Sequence, residues 1–389
     1  MRLHDRLLVL VYLVLAALPV LAMALEIKGR PLYGSLPPTP RPALELDAIL
    51  AEKYQHELTG WFESNLGLKG TSIALDNAIL HHVFRETRFG STVHLGKDGV
   101  LFPADDISFF NKHGRQIADP AYIDRLAAQM ATLQRRLSAR GRALVPVLIP
   151  SKTSIWRDQI PDRWKQDLPE PRHADELTRL VREALARHRV KYVDAVELLQ
   201  RAAVSRNDLF GPDARHWTIY GACLAMREAA TLYAELTGKP RPPHECELAR
   251  QGPRRHDDHD MMRLLNTMWV YRGYKRQALV HHAPPPPDWG PKPSMLVTAT
   301  SFGWTMMFDA EDSGLYGPIH LNYYNKTFAA QDGARTEVQA GSPSWRAIVM
   351  ETDYHVLDLF ESYLAAPDAY VETFLRDILA EIGEAPAPR

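Results

Sequence analysis

Apolar positions change rhythm along the chain, and each change marks an element. Residues 7–25 read LLVLVYLVLAALPVLAMAL, 19 positions without a charge, enough for a helix to span a bilayer core of ~30 Å. From 47 to 84 apolar residues recur at helical spacing, as at Ile49, Leu50, Tyr54, Leu58, Trp61, Phe62 and Leu66, with Asn65-Leu66-Gly67 as a break. A β pattern follows at 92–102, where Gly96-Lys97-Asp98-Gly99 has the composition of a hairpin turn. The chain then predicts helix 121–139, strand 143–149, helix 174–188, strand 190–193, helix 218–236, strand 295–300, strand 347–351 and helix 368–382. Continuous apolar runs such as ALVPVLI, MLVTAT and AIVM suit strands covered on both faces. The expected fold is α/β, a three-layer sandwich around a mostly parallel sheet, with its ligand edge at the strands' C-terminal ends.

Prolines divide the rest. Pro31, Pro37, Pro38, Pro40 and Pro42 forbid a helix and predict an extended tether over 31–46, so the folded body is expected at 47–389. The stretch 241–293, with Pro242-Pro243, a His/Asp cluster and Pro284 to Pro287, reads as an insertion in that body.

Composition narrows the function classes. With 389 residues, 46% hydrophobic and 24% charged, the chain can bury a substantial core, which excludes disordered, collagenous and disulfide-scaffold classes. The 46 Lys and Arg against 47 Asp and Glu give a net charge of −1, which argues against a nucleic-acid binder. Cys223 and Cys246 lack metal or redox-motif spacing; their separation fits either one disulfide or two buried thiols. Arg2 and Arg6 before the apolar run place the N-terminus in the cytoplasm and the body across the membrane, in the periplasm. The run is long for a cleaved signal's core of ~7–15 residues, so residues 1–30 are expected to be an anchor in the inner membrane; Ala22-Met23-Ala24 supplies the competing cleavage pattern.

Two constellations carry candidate chemistry. In LVTATSFGW, residues 296–304, an apolar strand runs straight into Ser301 and Gly303, where backbone N–H groups at a helix start can receive a developing oxyanion. Ser301 is the candidate nucleophile; a helix N-cap is its plainer role. In Asp213-Ala214-Arg215-His216-Trp217-Thr218, a carboxylate three positions before a histidine can fix its tautomer and stabilise the imidazolium. Together Ser301, His216 and Asp213 have the residue types of a Ser-His-Asp triad. Lys152, after strand 143–149, is expected to be a solvated surface lysine, with substrate holding as its alternative. The run His256-Asp257-Asp258-His259-Asp260 is metal-capable but matches no usual ligand spacing and reads as a solvated polar segment; no metal and no cofactor are predicted. Arg254, Arg255, Lys275 and Arg276 could line a groove for an acidic polymer, and a neutral polymer fits the overall charge equally.

LGKDGVLF (95–102), VLIPSKTSIWRDQIP (147–161), PDARHWTIYGA (212–222), TSFGW (300–304) and ETDYHVLDLFESYL (351–364) occur in one order. In that order they resemble alginate O-acetyltransferases of the AlgJ/AlgX type, over residues 61–364. The resemblance implies an SGNH-hydrolase-like domain in which the Asp/His pair precedes the serine, a permuted motif order that this chain shares. It implies Ser301 as nucleophile, His216 as base, an exported polysaccharide as acceptor and an MBOAT-class membrane acyltransferase as acetyl-donor partner. The family usually reads Asp-x-His-Trp, and that register places Ala214 before His216; Asp213 stands one position further away. The departure leaves open a different acid, a substituted partner or reduced activity. O-acetylation of a polysaccharide is the expected function, with a carbohydrate acetyl esterase and a noncatalytic scaffold of an export complex as rivals.

Overall fold

The computed structural model describes residues 3–34, 37–88, 92–111, 119–165, 173–249, 259–269, 278–330, 334–364 and 369–384. Two compact units emerge, Met1–Leu95 with Met261–Arg272, and Gly96–Asp260 with Gly273–Arg389.

The first unit contains helix α1 (Leu3–Ala24), whose apolar side chains are largely exposed, and the helices Lys53–Asn65 and Lys69–Ile79. Residues of and beside its Pro-rich stretch are bonded to the rest of the unit. Arg30 donates its N–H to Thr71 Oγ1 at 3.0 Å and a guanidinium N–H to Met268 O at 2.8 Å; Tyr33 N–H donates to Asn266 Oδ1 at 2.7 Å. Thr39 N–H donates to Ser64 Oγ at 3.1 Å, and Asn65 Nδ2 donates to Thr39 O at 3.0 Å.

The second unit is built on a seven-stranded sheet. Its strands are β1 (Ala143–Ile149), β2 (Val193–Asp194), β3 (Met295–Ala299), β4 (Ile319–Tyr323), β5 (Thr327–Ala329), β6 (Arg335–Glu337) and β7 (Tyr354–Phe360). They lie in the order β6-β5-β4-β3-β7-β1-β2. The pairs from β4 to β2 are parallel, and only β4–β5 and β5–β6 are antiparallel. Every residue of β1, β3 and β7 is buried, as strands covered on both faces require.

Helices α2 (Pro120–Ser138), α3 (His173–Arg187) and α6 (Tyr370–Glu384) pack together on one face of the sheet, with α4 (Ile219–Thr237) and α5 (Gly303–Ser313) on the other. Local chemistry sets the boundaries. Asp119 accepts the Ala121 N–H at 2.9 Å with Pro120 at the first helical position, and Thr218 accepts the Gly221 N–H at 3.1 Å. Helix α4 stops at Gly238, whose φ of 68° is left-handed.

The run AIVM, expected as a strand at 347–351, lies instead at the end of the helix Pro343–Val349 and just beyond it. Ser342 caps that helix by accepting the Trp345 N–H at 3.3 Å, and Pro343 opens it. The strand comes directly after, as β7. A single disulfide joins Cys223 of α4 to Cys246.

Candidate active site

Strand β3 ends at Ala299, and the chain turns through Thr300, Ser301 and Phe302 into α5. Two constraints hold the turn. Asp358, near the end of the adjacent β7, accepts both the Thr300 N–H at 2.9 Å and the Thr300 hydroxyl at 2.6 Å. Gly303 lets helix and sheet close together, because a Cβ there would stand 2.5 Å from Ala299 Cβ and 2.6 Å from Leu321 Cδ1. Ser301 is partly exposed at the strand edge. Its hydroxyl lies 2.7 Å from His216 Nε2, so its geometry goes beyond that of a helix cap.

His216 sits just ahead of α4, where neighbouring residues divide two tasks. Trp217 is wholly buried and donates its indole N–H to Thr305 Oγ1 of α5 at 2.8 Å. His216 stands edge-on to the Phe302 ring at 4.8 Å, with a side chain 14% exposed.

The third member differs from the sequence expectation. His216 Nδ1 lies 2.8 Å from Oδ2 of Asp260, while Asp213 is buried and faces Nδ1 of His259 at 2.5 Å. In this turn-rich segment the carboxylate three positions upstream is buried against His259, and Asp260 holds Nδ1 of His216 instead. The other oxygen of Asp260 accepts the Arg215 N–H at 2.8 Å. Consecutive residues His259 and Asp260 thus interlock with the segment 213–216 through three hydrogen bonds. Burial pushes the Asp260 carboxyl up, but the His216 hydrogen bond and charge, the Arg215 N–H and the Lys152 charge together hold it below its ordinary value. Asp260 was visible only as the last residue of a cluster read as solvated; its signal was its place immediately before the apolar MMRLL. His256, Asp257, Asp258, Arg254, Arg255, Lys275 and Arg276 lie outside the described residues.

Lys152 corrects a second expectation. It is fully buried. Its ammonium donates to the carbonyls of Gly211 at 2.5 Å, Pro212 at 2.9 Å and Ala214 at 2.5 Å, matching three N–H bonds to three acceptors. It therefore clamps the segment that leads into His216. Burial pulls its pKa down to about 7, against the raising charges of Asp213, Asp260 and Asp106. The clamp is supported in turn: Lys152 N–H donates to Asp106 Oδ2 at 3.1 Å, and Arg215 bridges to Asp105 at 2.6 Å.

The resulting hydrogen-bonded row Ser301–His216–Asp260 places a hydroxyl, an imidazole and a carboxylate in the relation needed for nucleophilic catalysis. Among the described residues no acceptor is assigned to the Ser301 backbone N–H; those of Phe302 and Gly303 reach Thr300 Oγ1 at 3.4 Å and Thr300 O at 3.1 Å.

Several known proteins are similar to this chain. A curated relative, "Probable alginate O-acetylase AlgJ" of Pseudomonas aeruginosa, is 28% identical over 176 residues, 45% of this chain. The match spans only 41% of that relative's length. The solved O-acetyltransferase domain of Pseudomonas putida AlgJ is 17% identical, with 76% of this chain and 99% of that one covered and a TM-score of 0.46. Pseudomonas aeruginosa AlgX is 13% identical, with 74% and 68% covered and a TM-score of 0.47. Residues 93–296, more than half of the chain, match the family described as "SGNH hydrolase-like domain, acetyltransferase AlgX". The chain belongs to this AlgX-type family, and its second unit is an SGNH-like α/β domain with a mixed, mostly parallel sheet.

Proposed function

We propose that the chain is a polysaccharide O-acetyltransferase working through an acetyl-Ser301 intermediate. The observation that carries this reading is the unbroken row Ser301–His216–Asp260 at the end of a central strand, in a chain of this family. His216 Nε2 takes the hydroxyl proton as Ser301 Oγ attacks the acetyl carbonyl, and the Ser301 N–H receives the oxyanion. The collapsing intermediate expels the donor's leaving group, which takes the proton from His216. A sugar hydroxyl then surrenders its proton to His216 and attacks the acetyl-serine. Ser301 leaves and recovers the proton. Asp260 orients the imidazole and stabilises its cationic form throughout.

The acceptor is an exported polysaccharide in the periplasm. The AlgJ relative's name makes alginate the first polymer to try. The family resemblance supports an MBOAT-class membrane protein as the source of acetyl groups. Helix α1 is long and apolar enough to cross a membrane, and in this reading it anchors the protein in the inner membrane. The acid contact to His216 favours catalysis over a noncatalytic scaffold.

Incubating the full chain with p-nitrophenyl acetate and acidic or neutral oligosaccharides tests the proposal by mass spectrometry. A gain of about 42 Da on Ser301 and then on sugar is the expected acetyl signature, and Ser301→Ala should lose both. Undiminished sugar acetylation by that variant would remove Ser301 as nucleophile. Release of free acetate alone, with good acceptors present, would favour the esterase.

A further inference from the structure

On the α4–α5 side of the sheet lies a second group of reactive side chains that the acetylation chemistry does not use. Cys223 of α4, His244, His282 and Asp309 of α5 bring one sulfur, two imidazole nitrogens and a carboxylate oxygen within 4.8 Å of one another. His244 and Asp309 are completely buried, and the His282 side chain is 6% exposed. His244 Nε2 lies 2.8 Å from Asp309 Oδ2 and 3.5 Å from Cys223 Sγ, while His282 Nε2 lies 3.1 Å from Asp309 Oδ1. The far nitrogens are held as well: His282 Nδ1 donates to Glu245 O at 3.2 Å, and His244 Nδ1 meets the Tyr316 hydroxyl at 3.0 Å.

This arrangement has the features of a closed metal centre. Outer hydrogen bonds fix both rings with Nε2 turned to the middle. A tetrahedral zinc ion with bonds of about 2.0 Å to N or O and 2.3 Å to S needs donors about 3.3–3.5 Å apart, so the widest pair must close by up to about 1.5 Å. One thiolate, two imidazoles and one carboxylate suit zinc, whose borderline softness accepts S, N and O together. The obstacle is covalent, since Cys223 is bonded to Cys246. Cys246 is the accessible half, partly exposed where Cys223 is fully buried.

We propose that these residues form a redox-gated zinc site, closed while the disulfide is intact and opened by a dithiol reductant. A reductant thiolate attacks Cys246 Sγ, the S–S bond breaks, and its electron pair leaves on Cys223 Sγ. The reductant's second thiolate attacks the mixed disulfide and departs as its own disulfide, leaving Cys246 as a thiol. Zinc then binds the Cys223 thiolate, His244, His282 and Asp309, displacing protons from the nitrogens that had donated to Asp309.

Cys246→Ser frees Cys223 without a reductant. Equilibrium dialysis of this full-length variant should show one zinc per chain, bound roughly 100-fold more tightly than by the oxidised wild type or by Cys223→Ser/Cys246→Ser. Cobalt in place of zinc should give a thiolate-to-cobalt charge-transfer band in Cys246→Ser and none in the double variant. Wild type reduced by a phosphine should show the same zinc stoichiometry by native mass spectrometry, a readout that does not depend on the variant's folding. Zinc bound equally well by the oxidised protein, or by the double variant, would overturn the proposal, as would its absence from the reduced wild type.

Discussion

At the scale of the residue, two aspartates compete for one role, and substitution separates them. Asp260→Asn keeps the shape beside His216 but removes the charge that favours imidazolium, so kcat for acetyl transfer should fall on the order of 10²–10⁴. Asp213→Asn, acting on His259, should change kcat by no more than about tenfold while lowering thermal stability, since it alters a buried hydrogen-bonded carboxylate. Steady-state kinetics with melting curves decides; a larger kinetic loss at Asp213 would return the role to it. Lys152→Met should lower the melting temperature and kcat together, because three carbonyls lose their donors at roughly 1–3 kcal/mol each. A variant as stable as wild type would refute the clamp. Ser301 and His216 were legible because each stands in a short motif beside a strand or helix. Asp260 was not: its partner is 44 positions away, and only tertiary structure brings them together.

Elements explain how the serine is presented. Gly303→Ala forces a methyl group against Ala299 and Leu321, so α5 must lift from the sheet; a loss of about 1–3 kcal/mol is expected from denaturant titration. Asp358 links β7 to the Ser301 turn, and burial raises its pKa to about 6 despite the hydrogen bonds from Thr300. A carboxyl raised on folding stabilises most below its unfolded value of ~3.9, and that contribution is lost as pH climbs through about 6. The stability of wild type relative to Asp358→Asn should therefore fall by up to about 2–3 kcal/mol from about pH 4 to 6.5, then level off. A constant difference would mean that Asp358 ionises as an ordinary carboxyl. Apolar runs revealed β1 and β3 because nothing polar interrupts their outlines. In β7, His355 and Asp358 break the run, and AIVM just upstream drew the strand assignment to itself. The start signal Ser342-Pro343 was the better guide there. Strands β4 to β6, short and in part exposed, left no continuous apolar trace.

For the molecule as a whole, compartment and attachment depend on the N-terminal residues. Ala22 is buried, Ile27 N–H donates to Ala22 O at 2.8 Å, and a Cβ on Gly67 would stand 2.7 Å from Ala22 Cβ. The end of α1 is thus packed into the first unit, so intact-mass analysis of the inner-membrane fraction should find residues 1–25 retained. A soluble product beginning at Leu25 would show cleavage after Ala24. The near-neutral charge that argued against nucleic acid leaves the polymer's own charge open to the oligosaccharide assay. The bonds from Arg30, Tyr33 and Thr39 to the first unit change how an anchored chain would behave. A free proline-rich leash would let that unit sweep through a hemisphere above the lipid. Strapped down, the same residues become a stem that fixes its height and tilt. Flexible residues inserted between Ile27 and Gly29 or after Pro42 should therefore leave that height unchanged, since the packing of Ala22 against Gly67 and the bonds from Arg30, Tyr33 and Thr39 hold the unit on both sides; a greater fluorescence-transfer distance to a lipid-surface dye would show them released.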